Sequence, residues 1–448
     1  MGGRRVALVS VGVDETVELL QALIRNRCVN DGSPDSGEER RNADVLQTYL
    51  EGAGLDVERF TSRSDRTSVV ARIEGTDASG PRLCLMGHTD VVPVNPQRWT
   101  EDPFGGEVID GEVWGRGSLD MLCLTASMAV TMWGLARSGW RPRGDLIYFG
   151  VADEENGGRF GAEWMTDHHW DAIACDYVLT ELGGFWHRDH SITIATAEKG
   201  LTARRLIISG TPGHGAVPYG ADNAILTAAE VIRRIGSFQP ASTFGEFWPT
   251  QVARTGLSPE IQAALLDPGR VEETLASLPV QHARGLHAGC HTTMSCNVIA
   301  GGQKFNVIPD RVVLEVDIRT LPGVANADVD RMLADVLGDL AAAVTIEAMA
   351  NNEASSSPID TPLWESLTRQ IHQVFPDATV TPTLAVAATD ARSFRRKGVT
   401  AYGAGLFSPA VDIAAIGSRF HGNDERIDIE SLRLCTDLWD NIVRDLLD

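Results

Sequence analysis

Apolar residues recur at helical spacing through Val17, Leu19, Leu20, Leu23 and Ile24, just after the acidic pair Asp14-Glu15. That spacing predicts a helix over Asp14–Arg27. A second is predicted over Arg41–Glu51, with Gly52 just past its end. The pattern then turns β-rich, over Thr67–Ile73 and Arg82–Met86, the latter opening directly into Gly87-His88-Thr89-Asp90. A long helical pattern, Met121–Arg137, follows Asp120. The strand runs Asp145–Ala152 and Tyr177–Thr180 lead into Asp153-Glu154-Glu155 and into Glu181. Strands alternating with helices predict an α/β domain built on a mostly parallel sheet. Ligands of such sheets sit beyond the carboxyl ends of the strands, and His88, Glu154, Glu155 and Glu181 each fall there.

Near Glu198 the texture changes. Strands are predicted over Leu201–Ser209, Asn297–Ala300, Lys304–Ile308 and Val312–Arg319, and helices over Ala221–Ile235 and Ala325–Ala343. This is the pattern of a smaller α+β domain. Gly236–His291, with scattered Pro and Gly, reads as an elaboration of it, and the polar stretch Asn351–Pro358 as a return linker. Then α/β texture resumes, with a helix over Thr361–Phe375, an apolar segment at Leu384–Ala388, a strand near Thr400–Ala404 and a terminal helix over Ile429–Leu447. One domain is inserted in another.

Length agrees, because 448 residues exceed what a single core organises. The formal net charge of −22 repels phosphate backbones and anionic lipid heads, so neither nucleic acid nor a membrane surface is an expected partner. Seven cysteines with no C-x-x-C pair suit reduced thiols in the cytoplasm. Arg4-Arg5 precedes the apolar run Val6–Val13, but that run ends at Asp14-Glu15 without a small-residue cleavage site, so no signal peptide is expected. No apolar stretch is long enough to predict a membrane span.

The chemistry lies in the loops. His88 and Asp90 stand at i and i+2, on one side of an extended chain, and a ligating imidazole is usually oriented by a neighbouring carboxylate. Asp120 opens a helix after Gly115-Arg116-Gly117-Ser118-Leu119, and taken alone it reads as an N-cap. Asp153, Glu154 and Glu155 repel one another unless something positive neutralises them. His421 stands in the loop before the terminal helix. Two histidines and three carboxylates, with two further carboxylates to spare, fit a two-metal site of borderline ions, best zinc. No H-E-x-x-H or G-x-S-x-G motif competes.

These residues stand within a longer series of motifs. It runs through Met86-Gly87-His88-Thr89-Asp90-Val91-Val92-Pro93, Gly115-Arg116-Gly117 to Asp120-Met121 and Ala152-Asp153-Glu154-Glu155. It continues through Gly210-Thr211-Pro212-Gly213-His214-Gly215, Asn306-Val307-Ile308-Pro309, Asp317-Ile318-Arg319, Thr389-Asp390-Ala391-Arg392 and His421-Gly422. In this series the chain resembles the M20 family of metallopeptidases over nearly its whole length. That group includes acetylornithine deacetylase, succinyl-diaminopimelate desuccinylase, aminoacylase-1 and glutamate carboxypeptidase.

The resemblance implies a zinc-peptidase-like catalytic domain over residues 1–198 and 356–448, and an inserted lid and dimerisation domain over residues 199–355. It implies two Zn2+ per chain, replaceable by Co2+. One would be held by His88 and Glu181, the other by Glu155 and His421, with Asp120 bridging. Asp90 would orient His88, and Glu154 would be the general base. His214, Asn306 and Arg319 would bind substrate, His214 reaching the site of the other subunit in a homodimer. The sequence departs from the family at Leu122-Cys123, at Ala387-Ala388 and at Gly215-Ala216, none of them a candidate ligand.

The expected reaction is hydrolysis of an amide of an N-acyl amino acid or small peptide, next to a free carboxylate, by a water shared between the metals. Deacylase and dipeptidase activities both fit. A catalytically silent binding protein on the same fold is the rival, although such a protein has no need of a base at Glu154.

Overall fold

The computed structural model describes residues 12–187, 189–411 and 413–448. Arg4-Arg5 and the first part of the apolar run after it lie outside them. The chain divides into two compact units. One comprises the described residues up to Thr196 together with Ser357–Thr383 and Thr389–Asp448, and the other comprises Ala197–Ser356 with Leu384–Ala388.

The first unit is built on a sheet whose strands lie in the order Val57–Arg63, Arg66–Ile73, Leu146–Val151, Leu83–His88, Tyr177–Thr180, Thr400–Gly403 and Ser191–Glu198. The three inner ladders are parallel and the outer ones antiparallel. The sheet is therefore mixed, with a parallel centre. The edge departs from the expected parallel pattern because Val57–Arg63 and Arg66–Ile73 are joined by a tight turn, which only an antiparallel pair allows.

Side chains alternate across this sheet as a period of two requires. Leu83, Leu85, Leu146 and Tyr148 face one apolar layer, and Cys84, Met86, Ile147 and Phe149 the other. Helices Val13–Arg25, Arg40–Glu51, Leu122–Arg137, Pro362–Val374 and Ile429–Leu447 feed the first layer. Ala162–His168, Trp170–Ile173 and Ala391–Arg395 feed the second. Leu122–Arg137 has thirteen buried residues in sixteen, so it is a core helix apolar on every side. It fixes the loop that carries Asp120.

The second unit has an antiparallel sheet in the order Thr293–Gly301, Arg311–Thr320, Gly200–Ser209, Val344–Asn352. Helices Ala224–Ser237 and Asn326–Leu337 cover one face, packing Val231, Ile235, Val329 and Leu333 on Leu206, Leu314 and Val316. The predicted helix Ala325–Ala343 stops at Leu337. Gly338, at φ 52°, leaves the α conformation there, and a 3-10 turn continues to Ala343. The predicted strand Lys304–Ile308 contracts to Val307–Ile308, paired with Gly213–His214.

Gly236–His291 contains four short helices, Trp248–Ala253, Pro259–Leu265, Val271–Ser277 and Val280–Cys290, around Trp248, Leu265, Val271 and Leu286. The expected return linker is ordered: Asn351 and Asn352 end a strand, and Ser355-Ser356 pair with Glu198 and Ala197. Leu384–Ala388 groups with this unit, where Ala385 O accepts from Lys199 N at 2.9 Å. Among the described residues no helix is long and apolar enough to cross a membrane. The seven cysteines are free.

Candidate metal centre

Three neighbouring strands deliver the first ligand candidates. His88 closes Leu83–His88, Glu154-Glu155 begin the turn after Leu146–Val151, and Glu181 follows Tyr177–Thr180. These strands are parallel, so their carboxyl ends coincide and the side chains converge. Asp120 comes from the loop before Leu122–Arg137. His421 comes from the turn after the helix Ile413–Arg419, with φ 54°.

Asp120 presents one oxygen to each imidazole. His88 Nε2 is 3.2 Å from Oδ1, and His421 Nε2 is 3.2 Å from Oδ2 and 3.2 Å from Glu155 Oε2. His88 Nε2 is 3.9 Å from Glu181 Oε2. His88, Asp120 and Glu155 each offer a ligand atom within 4.8 Å of the others, as do His88, Glu154 and Glu181. His88 Nδ1 lies 2.9 Å from the main-chain oxygen of Asp90. A carbonyl only accepts, so Nδ1 carries a proton, and Nε2 is the nitrogen that faces the cluster.

Burial pushes the carboxyls of Glu154, Glu155 and Glu181 up. For Glu181 the charges of Asp120 and Glu154 add to the effect. Burial acts on Asp120 in the same direction, but hydrogen bonds from His421 and His88 outweigh it and hold this carboxyl low. Those bonds, to Asp120 and then to Glu155, push the His421 imidazole up to about 10. Glu155 Oε1 is buried with no hydrogen-bond partner. Crowded buried acids, an orphaned carboxylate oxygen and two imidazole nitrogens form a donor set that fits divalent cations of borderline softness.

Asp90 orients His88 through its main chain rather than its carboxylate, whose Oδ1 is 3.7 Å from Nδ1. The carboxylate instead accepts from Asn30 Nδ2 at 2.8 Å and from the backbone N–H of Glu154 and Glu155 at 3.2 Å each. It thereby fixes the turn that carries both glutamates. Beneath it, Arg66 pairs with Glu39 and stands 3.5 Å from Asp153, all three essentially buried. Asp153 takes the left-handed conformation at φ 68° and accepts from Phe160 N at 2.8 Å. No sequence motif pointed to Asn30, Glu39 or Arg66.

Asp390 lies on the far side of this turn, buried, with neither carboxylate oxygen hydrogen-bonded. Burial, opposed by the Arg392 guanidinium, pushes its carboxyl up to about 7. Gly158 has φ 68°, and a Cβ there would stand 2.3 Å from Asp390 Oδ1, so glycine is required.

In the second unit the short ladder of Gly213–His214 with Val307–Ile308 brings His214 beside Asn306, whose main-chain oxygen accepts from Gly215 N at 2.9 Å. His214 is exposed, and its Nδ1 accepts from Ala216 N at 3.0 Å, which leaves Nε2–H as an outward donor. Arg319, on Arg311–Thr320, is engaged by Asp317 through Nε–Oδ1 at 2.9 Å and Nη2–Oδ2 at 3.3 Å.

Residues 84–445 match the model of peptidase family M20/M25/M40. An N-fatty-acyl-amino acid synthase/hydrolase of Xenopus tropicalis is 27% identical over 387 residues, 83% of this chain and 74% of that protein. A succinyl-diaminopimelate desuccinylase of Rhodopseudomonas palustris is 31% identical over 241 residues, 52% of this chain and 59% of that protein. Among solved structures, an M20 family metallo-carboxypeptidase from Sulfolobus solfataricus matches with a TM-score of 0.74 at 15% identity, covering 97% of this chain and 99% of the other.

Proposed function

The chain belongs to peptidase family M20/M25/M40 and is a hydrolase, and from that premise we propose that it cleaves the amide of an N-acyl amino acid or small peptide beside a free carboxylate. The observation that carries this reading is Asp120, set between two imidazoles at 3.2 Å from each, where the acids of three neighbouring strands converge. His88 and Glu181 would hold one metal, Glu155 and His421 the other, and Asp120 would face both. Nitrogen and carboxylate donors together favour zinc, with cobalt a workable substitute. When bound, such ions acidify a water and polarise a carbonyl.

The chain's own groups supply the rest. Glu154, its proton affinity raised by burial, takes the proton of the attacking water and delivers it to the leaving nitrogen. His214 Nε2–H can donate to the oxygen that becomes negative as the carbonyl is attacked. Arg319 offers a planar fork to the substrate carboxylate, which would take the place of Asp317. By their names, the Xenopus and Rhodopseudomonas relatives handle N-acyl amino acids, which favours deacylation over dipeptide cleavage. Seven free thiols support a reducing, cytoplasmic setting. The test is a panel of N-acyl amino acids and dipeptides given to the metal-loaded protein. Failure on every member while two metals are bound would leave a binding protein.

Arg319→Lys should raise KM by about 10–100-fold, in line with the ~1.5–3 kcal/mol of a charge-assisted hydrogen bond. An ammonium cannot reproduce the fork. Substrates with an amidated carboxylate should be poor for the unsubstituted protein. Equal rates on free and amidated substrates reject the clamp.

We further propose a two-fold dimer, formed through residues 199–355, in which His214 serves the partner's site. Glu154→Gln and His214→Ala chains, each inactive alone, should recover when mixed. Random exchange makes about half of the dimers mixed, each with one whole site, so recovery should reach about a quarter of full activity per site. Proven subunit exchange without recovery assigns His214 to its own chain's site.

A further inference from the structure

Asp120 and His421 reach the cluster from loops some three hundred residues apart, and the strands beside those loops explain how they meet. Glu112–Trp114 and Arg426–Asp428 pair antiparallel, Trp114 opposite Arg426. The chain entering the Asp120 loop therefore lies beside the chain leaving the His421 turn, and Gly115 N donates to Glu425 O at 2.9 Å.

The Glu425 side chain fills the space between the two loops and is fully buried. Its Oε1 accepts from the backbone N–H of Gly117 at 3.1 Å, Leu119 at 2.8 Å and Asp120 at 3.0 Å. Its Oε2 is paired with Arg116 Nη1. Arg116, itself buried beneath the Trp99 ring at 5.4 Å, donates through Nη2 to Gly422 O at 2.9 Å. One carboxylate thus grips the amide of Asp120, and its guanidinium partner grips the residue after His421.

We infer that the Arg116–Glu425 pair is a positioning device that holds Asp120 and His421 at one spacing, and so sets the affinity of the metal site that His421 serves. The inference rests on the ligand assignment proposed above. Two contrasts carry it beyond a brace for the fold. First, the paired strands are already held by their ladder, by Arg426 Nε to Glu112 Oε2 at 2.9 Å and by Arg419 Nη1, which donates to Glu112 Oε1 and to Arg426 O at 3.1 Å each. Second, His421 needs positioning and His88 does not. The His421 side chain is 55% exposed on a left-handed turn, so packing fixes its direction little. The His88 side chain is 1% exposed at the end of a central strand.

The test is to titrate Co2+ into the metal-free protein and follow visible absorption. Glu425→Gln keeps an oxygen for the three N–H groups but turns an amide toward Arg116. Arg116→Lys keeps a charge against the buried carboxylate, so that variant folds, but it cannot span Glu425 and Gly422 together. The unsubstituted protein should take two equivalents. In both variants the equivalent that His421 serves should weaken by about 10–100-fold, the usual cost of removing a group that orients a metal ligand, and by clearly more than the other, which the clamp reaches only through Asp120. His421→Ala should weaken the same equivalent, and adding Glu425→Gln to it should change little more, since coupled residues are not additive. Equal weakening of both equivalents, or of neither, overturns the inference while leaving the metal assignment standing. Failure of the unsubstituted protein to take two equivalents overturns both.

Discussion

Glu154→Gln is expected to lower kcat by about 10²–10⁴, the usual contribution of a general base, with metal content unchanged. The substitution keeps size and shape and removes only the ability to carry a proton away. Two features make the carboxylate suited to the task. It is one residue from Glu155, which is tied to His421 at 3.2 Å, so the backbone turn is fixed by a neighbour that faces elsewhere. Asp90 pins the backbone N–H groups of both glutamates at 3.2 Å, so the Glu154 side chain starts from an immobile base. Glu154 also has an oxygen within 4.8 Å of His88 and Glu181, close enough to be a ligand itself. The two roles give different results. Atomic absorption on Glu154→Gln showing one metal lost per chain would make Glu154 a ligand and pass the proton transfer to another group.

Removal of the metals is expected to abolish turnover, with Zn2+ or Co2+ restoring it at two equivalents per chain. Without cations the centre holds Asp120, Glu154, Glu155 and Glu181 against two imidazoles, with three of the four carboxyls pushed up by burial. Cations relieve that repulsion, so the loaded protein should also be more stable and melt higher, by the ~2.7 kcal/mol that each ion contributes at a hundred times its dissociation constant. Calorimetry of apo and loaded protein measures the shift. Full activity in protein that elemental analysis finds metal-free rejects the centre.

Elements whose burial follows one simple rule were legible in the sequence. Tyr177–Thr180 is a short apolar run and Ile429–Leu447 a long amphipathic one, and both occupy their predicted spans. Strands that break the rule were missed. Val57–Arg63 is an edge strand and largely exposed, so its composition reads as loop. Ser191–Glu198 is buried at every position although Ser191, Thr193, Thr196 and Glu198 are polar, so its composition does not read as a core strand. Of the candidate ligands, His88, Glu154, Glu155 and Glu181 stand out by position, each just past a predicted strand, whereas Asp120 alone reads as an N-cap and His421 gains its place only from the longer series of motifs. Asn30, Glu39 and Arg66 could not be found from the sequence, because a buried charge is explained by its partner, and pairs separated by 27 residues, as Arg66 and Glu39 are, leave no local pattern. The role of Asp90 was half legible. Its spacing from His88 pointed to an orienting contact, but only the backbone path shows the carbonyl making it.

The grip of Glu425 on Asp120 joins residues 305 apart and that of Arg116 on Gly422 joins residues 306 apart, which has a consequence for the order of events during synthesis. Contacts so distant in sequence close late, because the intervening chain must first be made and ordered. A growing chain carries Asp120, Glu154, Glu155 and Glu181 long before His421 and Glu425 leave the ribosome. Until the terminal helix is being made, it has the acids of the centre without the imidazole and the clamp that complete it. On the ligand assignment proposed above, a chain ending before His421 should fail to hold the second ion, which metal analysis of such a truncated chain would measure.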